Sequence, residues 1–181
     1  RGRTVDELGG GLTNRNYRVR CDDGGDYVVR VSETSTGLLA IDRANERHNT
    51  RVAWESGVGA PVVEALPDED VLVVGFLSGR TFGADDVSDH TTLARIAEAV
   101  RRLHLGGAFQ GSFDMRSIRR RYLSVVQERG FRLPEGYLRL SERVEALEAA
   151  MRPGSEPLVP CNNDLLAANF IDGGSKIWII D

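Results

Sequence analysis

The last twenty residues, NNDLLAANFIDGGSKIWIID (162–181), hold Asp164, Asn169 and Asp181 around two short apolar runs and a GGSK turn. Folded as a hairpin, the two runs bring residues at their outer ends close together. Carboxylate and amide oxygens converging there suit a hard divalent cation such as Mg²⁺, held by few protein ligands and by phosphate oxygens. A further carboxylate, kept off the metal, can orient a hydroxyl nucleophile and accept its proton. Phosphoryl transfer needs these parts and little covalent chemistry. Asp and Asn are also ordinary loop residues, so no one of them carries this meaning alone.

The front of the chain holds parts that would serve the same chemistry. LGGGLTNRNYRV sets Gly9, Gly10, Gly11 and Asn14 between two apparent strands. Glycine lets backbone approach closely, so N–H groups there could cover phosphates. The pattern is neither G-x-G-x-x-G nor G-x-x-x-x-G-K-[ST], and taken alone it reads as a hairpin turn. Arg30 lies inside the apolar run YVVRV, where a charge must face solvent or find a partner. Glu46, sixteen residues on in a helical stretch, is a candidate partner. Protein kinases hold a strand cation with a helix glutamate and aim it at phosphates, using lysine. Lys176, the single lysine among 23 basic residues, sits in the GGSK turn, so the strand cation here is arginine.

The elements that must carry these residues read as α+β. NYRVR and YVVRV are strands around CDDGGD, and APVVEAL and VLVVGFL are strands around PDED. AIDRANERHNTRVAWES is helical. Leu93, Ile96, Ala97, Val100 and Leu103 keep the helical period up to Gly106, and two further helices lie in 117–130 and 136–154. NFID and IWIID form the closing hairpin. This order predicts a β-rich lobe over residues 1–77 and a mainly helical lobe over 78–181.

Composition sets bounds on function. The chain has 181 residues, 41% hydrophobic and 28% charged, and a net charge of −4, which disfavours a nucleic-acid-binding surface. Cys21 and Cys161 offer no disulfide framework, and no apolar run reaches the length of a membrane span. The cytoplasm is the expected compartment. His104 reads as a packed or helix-capping residue, and SIRRRY as a solvated helix face. Trp54 and Trp178 are expected in the core.

Together GGLTNRNYRV, YVVRV, IDRANE, VLVVGFLSGRTF, LHLGGAF and NDLLAANFIDGGSKIWIID resemble the choline/ethanolamine kinase branch of the aminoglycoside-phosphotransferase-like kinases, in the family's order. The resemblance implies a protein-kinase-like two-lobe fold and ATP and Mg²⁺ as cofactors. It implies Asp164 as catalytic base and Asn169 and Asp181 as metal ligands. Arg30 would contact the nucleotide phosphates, Glu46 would hold it, and the loop with Gly9, Gly10, Gly11 and Asn14 would cover them. Residues Val74 to Leu77, Phe76 among them, would lie beside adenine. The expected acceptor is a small cationic alcohol, choline or ethanolamine, with an aminoglycoside or thiamine as same-fold alternatives.

Two departures from the pattern stand out. Asn162 occupies the place of a histidine that braces the catalytic loop, which also admits a nucleotide-binding pseudokinase. The acidic and aromatic residues and the helices that hold the acceptor in this family lie beyond Asp181. The chain therefore reads as an incomplete product of a longer gene, its C-terminal lobe short of its last helices and exposing apolar surface.

Overall fold

Alternating side chains in NRNYRVRC and DYVVRVS make two half-buried strands, and the intervening CDDGG closes them through Cys21 N–H to the Gly25 carbonyl at 2.8 Å, with Gly24 at φ +90°. The computed structural model describes residues 2–9, 14–32, 42–151 and 157–180. Gly10, Gly11 and Asp181, expected at the phosphates and the metal, lie outside these.

The strands β1 (Arg3–Leu8), β2 (Asn14–Cys21), β3 (Asp26–Ser32), β4 (Val62–Leu66) and β5 (Val71–Gly75) form one antiparallel sheet in the order β1-β2-β3-β5-β4. Helix α1 (Arg43–Glu55) leaves β3 and returns to β4. Its N-cap Asp42 accepts from the backbone N–H of Ala44 and Asn45 at 2.9 and 3.1 Å, and Gly57 at φ +77° ends it. Cross-strand pairs Asn16–Arg30, Arg30–Leu72 and Val28–Val74 set the register. With a side-chain period of two, Asn14, Asn16, Arg18, Val28, Arg30, Leu72 and Val74 therefore share one face.

A smaller sheet joins β6 (Arg80–Thr81), β7 (Phe170–Asp172) and β8 (Ile177–Ile179), and α2 (His90–His104) packs against it. Val58, Phe82, Ile96, Ala99, Leu103, Phe170, Ile177 and Ile179 form the core. Of the periodic positions in α2, Ile96 and Leu103 are buried and Val100 packs against the core, whereas Leu93 and Ala97 are exposed. Trp54 is also exposed, at 38%, and is not a core residue; it lies near the solvated end of α1. Trp178 is half-buried, with Lys176 Nζ 3.7 Å above its ring.

Two compact units divide the chain: residues up to Gln110 together with those from Val159 onward, and Gly111–Leu158. The second unit holds α3 (Met115–Glu128) and α4 (Tyr137–Ala150), joined by Arg116–Glu148 and Arg119–Glu148 ion pairs at 3.5 Å. Phe113, Met115, Leu147 and Met151 of this unit are exposed. No helix among the described residues is long and apolar enough to cross a membrane.

Gly79 marks where the chain enters the small sheet. A Cβ there would stand 2.4 Å from the Asp172 carbonyl oxygen and 2.6 Å from Ile171 Cγ2. The first obstacle is backbone, which cannot rotate away. Gly79→Ala should destabilise the fold by roughly 1–3 kcal/mol, read as a lower urea midpoint; an unchanged midpoint would show that β7 yields freely.

Candidate functional site

Asn14 opens β2 and is the one buried polar side chain among the described residues, at 8% exposure. It meets α1 across the shared face of the sheet. Its Nδ2 donates to Glu46 Oε1 at 3.5 Å, and its Oδ1 accepts from Arg43 Nη1 at 2.9 Å. Arg30 Nη2 lies 3.5 Å from Glu46 Oε1, and Arg43 Nη1 lies 2.6 Å from Glu46 Oε2. The strand cation and the helix carboxylate expected to pair are thus together, with Asn14 beside them. Arg30, Ser32, Arg43, Glu46 and Asp70 line a recess at this point.

Arg43 was not anticipated. It sits in the first turn of α1, where the helix dipole disfavours a cation. Glu46 three residues on and the Asn14 carbonyl oxygen offset that cost. The i,i+3 spacing of Arg43 and Glu46 was the available signal.

At the far end of β5, Val74 is buried and pairs with Val28 on the Arg30 face. Phe76 donates its N–H to the Asp26 carbonyl at 3.0 Å. The Arg18 guanidinium lies 3.5 Å from the Phe76 ring centroid and binds both Asp26 oxygens, at 2.9 and 2.6 Å. That hydrogen bonding holds the Asp26 carboxyl below its ordinary pKa. Gly9 follows β1 and is exposed.

Asp164 and Asn169 form a second cluster. Asn169 Nδ2 donates to the Asp164 carbonyl at 2.8 Å and to Asp164 Oδ2 at 3.1 Å. Asn162 Oδ1 accepts the Asp164 N–H at 2.7 Å, an Asx-type turn that closes the loop on itself. Asn162 thus ties the loop to itself through its own side chain. His104 ends α2, and its Nε2 lies 3.8 Å from Cys161 Sγ.

The hairpin leading to Asp181 is fixed from two sides. Ile179 N–H donates to the Val58 carbonyl at 2.8 Å, and Ile180 N–H to the Asn169 carbonyl at 2.9 Å. Arg95 of α2 binds both Asp172 oxygens, at 2.9 and 2.7 Å, and the Gly174 carbonyl at 2.7 Å. Among the described residues, no group of three or more His, Cys, Asp or Glu side chains forms a metal cluster.

A model of the phosphotransferase enzyme family, APH, matches residues 4–181. The chain is similar to a choline/ethanolamine kinase family protein from Mesorhizobium loti at 30% identity and TM-score 0.78, over 98% of this chain and 57% of that one. It is similar to choline kinase LicA from Streptococcus pneumoniae at 22% identity and TM-score 0.80, over 98% and 62%. A LicA structure in complex with AMP gives 22% identity and TM-score 0.76, over 98% and 61%. The chain thus spans less than two thirds of each of these proteins. Comparison with curated proteins gave no match.

Hydrogen bonds from Arg95, then from the Gly174 N–H, hold the Asp172 carboxyl at about 2. Unfolded, this aspartate titrates near 3.9. Its contribution is therefore complete above the unfolded value and is lost as pH falls from about 4 through 2. Asp86, held at about 2 by Arg80, acts in the same window. Between pH 5 and 2 the urea midpoint of the native chain should fall more steeply than that of Asp172→Asn. Parallel curves would remove Asp172 from the acid response.

Proposed function

The chain belongs to the phosphotransferase enzyme family, with the protein-kinase-like fold of its relatives, and on that premise we propose that it transfers a phosphoryl group from ATP to the hydroxyl of choline or ethanolamine. The observation that carries this reading is the Arg30–Glu46 pair, ordered beside Asn14 on one face of the β-rich sheet. In this reading residues 1–77 are the nucleotide-binding lobe, residues 78–181 the partial catalytic lobe, and the reaction is cytoplasmic. The kinase relatives and the AMP held by LicA support a nucleotide. Val74 and Phe76 would line the adenine end, with Gly9, Gly10, Gly11 and Asn14 over the phosphates.

Arg30 presents a guanidinium to the phosphates, and Glu46 keeps it from swinging to solvent. Asp164 orients the acceptor hydroxyl and accepts its proton as the oxygen attacks the γ-phosphorus, the bond to the β–γ bridging oxygen breaks and ADP leaves. Asn162 and Asn169 hold the Asp164 loop in shape. The donor types fit Mg²⁺: Asn169 spends its NH₂ on Asp164, so its amide oxygen is the atom that would bind the ion, and Asp181 would supply a carboxylate. When bound, the ion neutralises phosphate charge. Choline and ethanolamine are preferred as acceptors over an aminoglycoside or thiamine because of the Mesorhizobium loti and LicA relatives.

A second reading, a nucleotide-binding pseudokinase that regulates a partner, rests on Asn162 in place of histidine. Turnover in a coupled ADP-release assay over a panel of amino alcohols separates the two. Phosphorylation of choline or ethanolamine supports the kinase. Nucleotide binding without turnover, restored by Asn162→His, supports the pseudokinase.

Asp164→Ala should lower kcat by roughly 10²–10⁴-fold with nucleotide binding kept; an unchanged kcat would exclude it as the base. Asp181→Asn should raise the Mg²⁺ concentration for half-maximal activity, and superimposable metal titrations would take Asp181 out of the metal site.

A further inference from the structure

Helix α1 carries Glu46, and its position is set by a segment that plays no part in the chemistry above. LHLGGAFQ, residues 103–110, leaves α2 and runs antiparallel along α1. A Cβ at Gly106 would stand 2.1 Å from Ser56 Oγ, and one at Gly107 would stand 3.6 Å from Val52 Cγ1. Next along the helix, His48 Nε2 lies 3.2 Å from the Ala108 carbonyl oxygen. The segment ends in a reciprocal pair: Asn49 Nδ2 donates to the Gln110 carbonyl at 3.1 Å, and Gln110 N–H donates to Asn49 Oδ1 at 2.8 Å. Phe109, between these contacts, packs against the core, so the segment is itself anchored.

We infer that Asn49 is a positioning residue that sets Glu46, and through it Arg30, for nucleotide phosphates by locking α1 to the Gln110 backbone. This rests on the reading of Arg30 and Glu46 as phosphate-side residues. Asn49 lies three residues from Glu46, so the two share nearly one turn of helix. An asparagine amide satisfies a backbone N–H and a backbone C=O at once, as a strand partner would. Such a bond fixes both rotation and slide of the helix at that turn. A shift of about 1 Å in a positioning group can cost as much as 10²-fold. Exposed backbone at residues 108–110 could take these bonds from water instead, so the Asn49 contact is directed at position as well as satisfaction.

The test is a double-mutant cycle on the full chain, read as the Kd of a fluorescent ATP analogue with Mg²⁺, and as KM for ATP against kcat where turnover is measurable. Asn49→Ala should weaken analogue binding roughly tenfold and raise KM for ATP with kcat nearly unchanged. Combined with Glu46→Gln it should bind no more weakly than Glu46→Gln alone, because the tether acts through that carboxylate. Wild-type affinity in Asn49→Ala, or losses that multiply in the double variant, would overturn the inference and leave the reading of Glu46 intact. If Glu46→Gln itself binds the analogue like wild type, both fall. Should Asn49→Ala not fold, Asn49→Asp keeps the size and the bond from Gln110 N–H, and enters the same cycle.

Discussion

A carboxylate three-quarters sheltered from water between two guanidinium groups is the constraint on which the front of this molecule rests. Glu46 in that position requires a strand that delivers Arg30 to the same face, and a helix capped so that its first turn is ordered. Removing Glu46 would take the carboxylate from between two sheltered guanidinium groups, which is worse than never having introduced the cluster. Asn14 completes the set because an amide can donate to the carboxylate and accept from the arginine together. The cluster is therefore self-consistent before any ligand is considered. A phosphate arriving there would meet guanidinium groups already held.

The same logic recurs with arginine throughout. Arg18 with Asp26, Arg80 with Asp86 and Arg95 with Asp172 each use both arms of the guanidinium on both carboxylate oxygens. A planar fork fixes the angle between two elements as well as their distance, which an ammonium cannot do. Arg95 in particular sets α2 against the hairpin that leads to Asp181. The arginine bias of the sequence is thus a bias toward directional contacts.

How far these contacts could be read from the sequence depended on their reach along the chain. The strands around CDDGGD, the α1 and α2 helices and the closing hairpin follow from periodicity and turn chemistry, which are local. Arg30 stood out because a charge interrupted an apolar run, and Glu46 because a helix followed at a fitting distance. The Asn162 turn had a local signature too, an asparagine two residues before the N–H it binds, but the comparison with a histidine motif drew attention to what Asn162 lacks. Arg95–Asp172 spans 77 residues and Asn49–Gln110 spans 61, and nothing near either residue announces its partner. Trp54 was misjudged because a large apolar side chain near the end of an amphipathic helix can as well lie on its solvent side. Nothing beside Gly79 in the sequence announces the Asp172 carbonyl that it faces.

Lys176 is the one side-chain amine in the sequence, and it stacks on Trp178 in the hairpin that leads to Asp181. Chemistry directed at lysine, whether acylation, methylation or conjugation to another protein, therefore has a single address on this chain. Acylation there removes the charge that sits over the indole, whereas methylation keeps it. The indole would register the difference in its emission. The one lysine of this sequence thus carries its own optical tag, a few residues from where the catalytic chemistry is expected.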